Sequence, residues 1–447
     1  MFCLLTGTEE TLYLDGEMSA VNKNADEGDS FSSKVINIVF FILLLDLLGF
    51  TLILPLLPSI LDHYAQTEDV VYQSLQAVVD WFREAVGIPM EKKYNSVLFG
   101  GLIGSLFSLL QFLSSPVTGA LSDRYGRRPL IILTTLGLMS SYAVWAVSQS
   151  FSMFLLFRVI GGICKGNVSL CTAIVADLPS LKARNRGMAM IGVAFSLGFT
   201  VGPLMGAYFA LNSRTLGNVF FQTPALIALA FSTADLLFIW LMLPETLTKD
   251  VKASSSGFRD SRDLLSPLSL FHFSAVTRTK DPPSKEKMKK LQMLGLVYFC
   301  YLFLFSGLEF TLSFLTHQRF HFTSMQQGKM FFFIGVVMAL IQGGYARRIK
   351  PGQHIKAVHA SLHKCLIAAA IVVPCLSTLV SDHGSANQKG TVMGILRSLG
   401  ALARALGPIV SSSVYWIAGA QTCFLLTSAS FIVPLTLLSM TRRLKEE

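Results

Sequence analysis

The sequence predicts an all-α membrane protein built from two helix bundles, and three observations carry that prediction. Hydrophobic residues make up 52% of the 447 and charged residues only 14%, with a mean hydropathy of +0.55. A soluble chain of this length needs a far more charged exterior. Apolar runs of about 20 residues recur along the chain, each enough for a helix to cross ~30 Å of hydrocarbon. The basic residues behind the net charge of +10 gather in particular loops between those runs, as cytoplasmic loops do. That placement argues against nucleic acid as a partner and for the lipid bilayer.

Taken in order, residues 1–34 are polar and net acidic, without the basic start or small-residue cleavage site of a signal peptide. They read as a disordered cytoplasmic tail. Apolar runs near 35–58, 96–118, 129–148, 152–176, 187–210 and 221–243 then form an N-terminal six-helix bundle over 35–246. Residues 247–290 hold ten Lys/Arg against five acids and read as a cytoplasmic linker. Runs near 292–315, 329–346, 362–381, 391–416 and 420–440 make a C-terminal bundle over 291–447. The loop from 59 to 95, with six acids and three bases, belongs outside. Its stretch "VYQSLQAVVDWFREAV" has the periodicity of an amphipathic helix lying on the bilayer.

The second half departs from the charge rule. Arg348 and Lys389 both belong on the cytoplasmic side, yet the residues between them hold one clear apolar run, "CLIAAAIVVPCLSTLV". Two spans and a turn need about 45 residues or more. The count is therefore eleven apparent spans. Either the rule breaks at the C-terminus or one span is missing.

Catalytic signatures are wanting. The chain has no HExxH, no GxSxG and no P-loop, and its seven cysteines form no CxxC or zinc spacing. An enzyme, a metal site and a cofactor are therefore not expected, and the cysteines read as small buried apolar residues.

Between the second and third runs stands "GALSDRYGRRP" (119–129), which packs one acid and three arginines into a short link. It resembles the G-x-L-[SA]-D-R-[YF]-G-R-R signature of the major facilitator superfamily. "LLDLLGFTLILPLLP" in the first run resembles the first helix of bacterial tetracycline/proton antiporters. "GFTVGPLMG" in the fifth resembles the superfamily's antiporter motif, and "LPET" ends the sixth where such carriers have similar residues. "LFLFSGLEFTLSFLTHQRF" and "KGTVMGILRSLGALARALGP" resemble the animal tetracycline-transporter-like branch, regarded as organic-anion efflux carriers. The resemblance implies a major-facilitator-type two-bundle fold with twelve spans, of which the ninth and part of the tenth are absent here. It also implies a secondary active transporter exporting amphipathic organic anions or drugs by alternating access, with protons as a candidate coupling ion. The alternative is a transporter-derived scaffold, or defective isoform, that moves no solute, because a lost helix damages the symmetry alternating access needs.

From the resemblance, Gly119, Asp123, Arg124, Gly126, Arg127, Arg128 and Asp177 are expected to form a cytoplasmic gate. Asp123 would sit at the N-terminus of the penultimate span near Gly390, where free N–H groups favour an anion. Arg127 or Arg128 would pair with Asp177. The bland alternative is that these arginines only fix topology. Gly198, Gly202, Pro203 and Gly206 read as a helix-packing seam. The partners implied are a small organic anion and the bilayer, with a monomer expected and the plasma membrane, or an internal one such as the inner nuclear membrane, as location.

Ionisable residues inside the runs are costly and so are candidates by default. The first run carries Asp46, the fourth Arg158 and Lys165, the sixth Asp235, the seventh Glu309, and the penultimate Arg397 and Arg404. Arg158 and Lys165 are seven residues apart, two helical turns, as are Arg397 and Arg404. Two basic faces against three acids make a net positive cavity suited to an anion. Asp46 is expected to carry a proton or pair with Arg158, and Glu309 to carry a proton or sit in a fixed ion pair. Arg397 and Arg404 could instead lie near a membrane end and snorkel. Asp235 is expected to pack away from the cavity.

Overall fold

The computed structural model describes residues 6–66, 69–87, 95–215, 222–247, 266–277, 283–320, 324–344, 348–349, 358, 368–383 and 388–443. Every regular element among them is a helix. Among the described residues, eight stretches are long and apolar enough to cross a membrane: Asp29–Thr51, Arg127–Ala146, Phe151–Ala176, Leu181–Phe209, Gln222–Met242, Lys285–Leu312, Lys389–Tyr415 and Ile417–Met440. The other three predicted runs are helical too. Asn95–Tyr125 (α4) is interrupted by polar residues, and Ser324–Gly344 (α13) and Ala368–His383 (α14) contain the shorter apolar segments Phe332–Ile341 and Ile371–Asp382. Most of 345–367, where the shortfall of one span would fall, lies outside the described residues.

The first helix, α1 (Thr6–Thr51), begins well before the first apolar run. The segment expected to be a disordered tail is therefore helical from Thr6. No proline interrupts residues 6–51, so nothing forces a stop before the span. Beyond it, α2 (Leu57–Ala65) and α3 (Val70–Val86) occupy the acidic loop, and α3 coincides with the expected amphipathic helix. Asp69 caps α3, with its Oδ1 accepting from the Val71 and Tyr72 N–H groups, while its Oδ2 accepts from Phe151 N at 3.1 Å.

The fourth run is two helices, α6 (Phe151–Cys164) and α7 (Asn167–Ala176). Lys165 has non-helical backbone angles, and Gln111 Nε2 donates to its carbonyl at 3.2 Å. A break at membrane depth is tolerated where protein satisfies the freed groups. The expectation that Arg158 and Lys165 share one continuous helical face is thus corrected.

Around these, α5 (Arg127–Ala146), α8 (Leu181–Thr215) and α9 (Gln222–Met242) complete the first half. Its core has two buried clusters, one centred on Ile42, Ile131 and Ile174, the other on Trp145, Phe151 and Phe154. In the linker, α10 (Pro267–Phe271) and α11 (Ser274–Thr277) bury Leu270, Phe273 and Val276 beneath the second half. That half is built by α12 (Lys285–Phe320), α13, α14, α15 (Lys389–Ser430) and α16 (Ile432–Arg443). Gly419, at φ +81°, breaks α15 between the last two spans. The halves meet where α4 packs along α15 and α8 along α13.

The seam motif lies between α1 and α8. A Cβ on Gly206 would stand 2.1 Å from the Leu52 carbonyl oxygen, and one on Gly198 would stand 2.6 Å from the Leu47 side chain. Thr51 Oγ1 donates to Gly198 O at 2.9 Å across the same contact, while Pro203 lies inside α8. Small residues here let the two backbones touch.

Candidate functional site: an interbundle latch and an intramembrane charge cluster

At the basic end, α4 and α15 approach through glycines. A Cβ on Gly119 would lie 2.3 Å from the Gly390 carbonyl oxygen, and one on Gly394 2.6 Å from that of Ser115. The close approach sets Asp123 against the start of α15. Its Oδ1 accepts from Gly390 N at 2.9 Å; its Oδ2 accepts from Thr391 N and from Thr391 Oγ1, each at 2.7 Å. No side chain of α15 caps its own N-terminus. Asp123 thus supplies from another helix the acceptor that the free N–H groups need.

Arg127 fastens this carboxylate to the first half. It is fully buried; its Nη1 donates to Asp123 Oδ1 and Ser122 Oγ at 2.6 Å, and its Nε to Asp177 Oδ2 at 2.9 Å. Burial raises the Asp177 carboxyl above the ordinary aspartate range, with the Arg127 charge working against that shift. Gly126 makes the turn between α4 and α5 at φ +111°, a conformation that disfavours a Cβ.

The remaining link residues stand apart from this network. Arg128 Nη2 donates to the Trp240 carbonyl at 2.7 Å rather than to Asp177. Arg124 is exposed and lies against the Tyr125 ring. Glu245, in "LPET", accepts from the backbone N–H groups of Arg127 and Arg128 and so caps α5. Two further contacts close the same end: Arg184 to Asp382 at 3.2 Å, and Lys389 Nζ to the Ala176 carbonyl.

Deeper in the span, the charges pair differently from the expectation. Asp46 holds Lys165, not Arg158, with both carboxylate oxygens 2.8 Å from Nζ. The break after α6 explains the choice, because it frees Lys165 from the helical face of Arg158. Asn167 Nδ2 reaches Asp46 Oδ1 at 3.4 Å and Thr135 Oγ1 at 3.2 Å, and its Oδ1 accepts from Thr134 Oγ1 at 2.7 Å. Lys165 Nζ also lies over the Phe50 ring.

Arg158 has no carboxylate partner among the described residues. Its guanidinium lies 4.4 Å from the Phe107 ring centroid and 5.9 Å from that of Phe157, and its Nε has no partner among the described residues. It lines a small pocket with Phe50, Phe107, Tyr142, Phe157 and Ser141. Arg397 is buried and reaches across to the Phe195 ring of α8, again with no ion pair among the described residues. Arg404 is half-buried and Glu309, on α12, is exposed, each within electrostatic reach of the other. Both arginines of α15 sit within its span and not at its ends. Sequence reasoning missed Asn167, Thr391 and Glu245; a polar side chain inside or beside an apolar run was the signal available for each.

Helices in two halves, a charged latch between them and cations within the spans that lack a carboxylate among the described residues define the class: a multi-pass membrane protein with transporter architecture. The model of the Major Facilitator Superfamily matches residues 39–363, and the chain belongs to that family. It is 58% identical over 431 residues to Major facilitator superfamily domain-containing protein 10 of Bos taurus, covering 91% of this chain and 92% of that one. The same alignment quality holds for the protein of that name from Homo sapiens, at 57% over 430 residues. A crystal structure described as the human organic anion transporter MFSD10 (TETRAN) superposes with a TM-score of 0.85 at 57% identity, covering 91% of this chain and 99% of that one. Tetracycline resistance protein, class B, of Escherichia coli is 23% identical over 402 residues, covering 85% of this chain and 88% of that one.

Proposed function

We propose that this chain is a secondary carrier that exports organic anions by alternating access, with the proton gradient as its drive. The observation that carries the reading is the pair of buried guanidiniums, Arg158 and Arg397, held within the spans with no carboxylate partner among the described residues. An unpaired buried cation is costly, and a substrate anion is the natural group to offset that cost. Lys165, by contrast, is already neutralised by Asp46. The relative whose structure is described as an organic anion transporter supports the same substrate class.

The latch supports the mechanism. Asp123 joins the two halves through its bonds to Gly390 and Thr391, which must break for the basic end to open, while Arg127 and Asp177 hold its carboxylate in place from within the first half. Bundles that rock about a central site need such a two-state contact. The expected eleven spans favour a second reading, a chain that folds but moves no solute, which a flux measurement separates.

Binding of 6-carboxyfluorescein to the purified chain tests the substrate class. Replacing Arg158 or Arg397 by glutamine is expected to weaken binding by about tenfold or more, the scale of one lost charge-assisted hydrogen bond. Arg124→Gln, on the exposed turn, is expected to leave it unchanged. Equal affinity in all four proteins would remove the argument.

A further inference from the structure

The sixth span holds an acid that the latch and the anion site do not use. Asp235 lies in the middle of α9 and is 1% exposed. It stands seven residues, or two turns, beyond Ala228, which packs against Gly49 of α1, so it faces the interior of the first half. Its Oδ1 has no hydrogen-bond partner, and no ion pair reaches it among the described residues.

Its surroundings come from α1, α5 and α8. Asp46 on α1 and Lys165 of the broken fourth span act on it electrostatically. Tyr142 on α5 and Cys171 on α7 feel its charge in turn. Arg158 acts on Tyr142 but is not among the charges acting on Asp235. The α8 helix carries no titratable residue between Arg186 and Tyr208. Two acids therefore share one ammonium, and Asp46 already holds that ammonium through both oxygens.

The charge count decides the rest. Asp46, Asp235 and Lys165 are together neutral only if one proton sits on the acid that the lysine does not hold. An ionised carboxylate with neither partner nor hydrogen bond costs several kcal/mol inside a span, and the neutral acid far less. We propose that Asp235 is the proton-exchange site of this carrier, holding a proton while Lys165 is bound to Asp46 and releasing it to water when the bundle rearranges and Lys165 turns to Asp235. The proton then returns to whichever acid the lysine has left, so the group of Asp46, Asp235 and Lys165 stays neutral throughout. This rests on the carrier reading above and names its coupling residue.

Two measurements on the full chain test it. Asp235→Asn mimics the neutral acid and is expected to fold and to bind 6-carboxyfluorescein with wild-type affinity. Its net flux is expected to lose its response to a pH gradient, with a flat pH profile, and Asp235→Glu to restore the response. A pH-gradient response in Asp235→Asn equal to wild type would overturn the proposal. Infrared spectra need no transport at all: the protonated-carboxyl C=O band seen at neutral pH is expected to vanish in Asp235→Asn. A band of unchanged intensity would overturn the proposal independently. Failure of the wild type to exchange anion, with the band still lost in Asp235→Asn, would sink the carrier reading while leaving the buried proton in place.

Discussion

Replacing Asp123 by asparagine should open the basic end of the molecule while leaving its shape nearly unchanged. The aspartate accepts three hydrogen bonds from the first turn of α15 and pairs with Arg127 at 2.6 Å. Asparagine has one accepting oxygen and no charge. It keeps one contact to the helix and loses the ion pair and the attraction of the helix terminus. A hydrogen bond to a charged group contributes about 1.5–3 kcal/mol, and a charge at a helix end up to about 1 kcal/mol at an exposed site. The latch should therefore weaken by about 3 kcal/mol, roughly a hundredfold in the ratio of closed to open forms. Ser115 offers the reporter, because it is buried between α4 and α15 beside Gly394. In a chain whose native cysteines are replaced by alanine, a cysteine at 115 should react slowly with an impermeant maleimide. Adding Asp123→Asn should raise that rate by one to two orders of magnitude, on the scale just derived. Arg128→Ala, which lies outside the network, should not. A rate unchanged by Asp123→Asn would refute the latch and leave the arginines as topology signals alone.

The other predictions are smaller. Because burial raises the Asp177 carboxyl, it should take up a proton at a higher pH than a solvated aspartate, and protonation removes the charge that Arg127 holds. Labelling at position 115 should accelerate as pH falls toward the weakly acidic range, and Asp177→Asn should flatten that dependence. Asp46→Asn strands the Lys165 ammonium and should cost about 3–5 kcal/mol of stability, most of it recovered in Asp46→Asn/Lys165→Met; thermal unfolding in detergent reads both. Gly206→Ala drives a methyl into the Leu52 carbonyl and should destabilise by about 1–3 kcal/mol, visible as a lower unfolding midpoint. Phe273→Ala removes a fully buried ring at a cost of about 3–5 kcal/mol, which should undock the linker helices and expose them to protease.

How far the sequence carries is clearest from the charges. Hydropathy locates the helices of the spans because the cost of exposing backbone and polar groups to hydrocarbon leaves few alternatives. The spacing in "GALSDRYGRRP" places Asp123 and Arg127 one turn apart, and both meet in the latch. Partner choice within the membrane is less legible. That Asp46 takes Lys165 rather than Arg158 depends on the break at Lys165, which local sequence marks only by the following Gly166. Asn167 looks like an incidental polar residue until the fold brings Thr134, Thr135 and Asp46 around it. Asp235 is similar: its cost is visible in the sequence, while the side of the helix it faces is not. The buried linker helices on either side of Phe273 escape a search for long apolar runs because they are only five and four residues long.

Flux of a labelled organic anion through proteoliposomes carrying this 447-residue chain, with and without a pH gradient and beside Arg158→Ala, tests the central claim most directly. Saturable flux that responds to the gradient and disappears in the variant is the result the account predicts. Folded, inserted protein that moves no anion, or flux that survives loss of Arg158 undiminished, would contradict it.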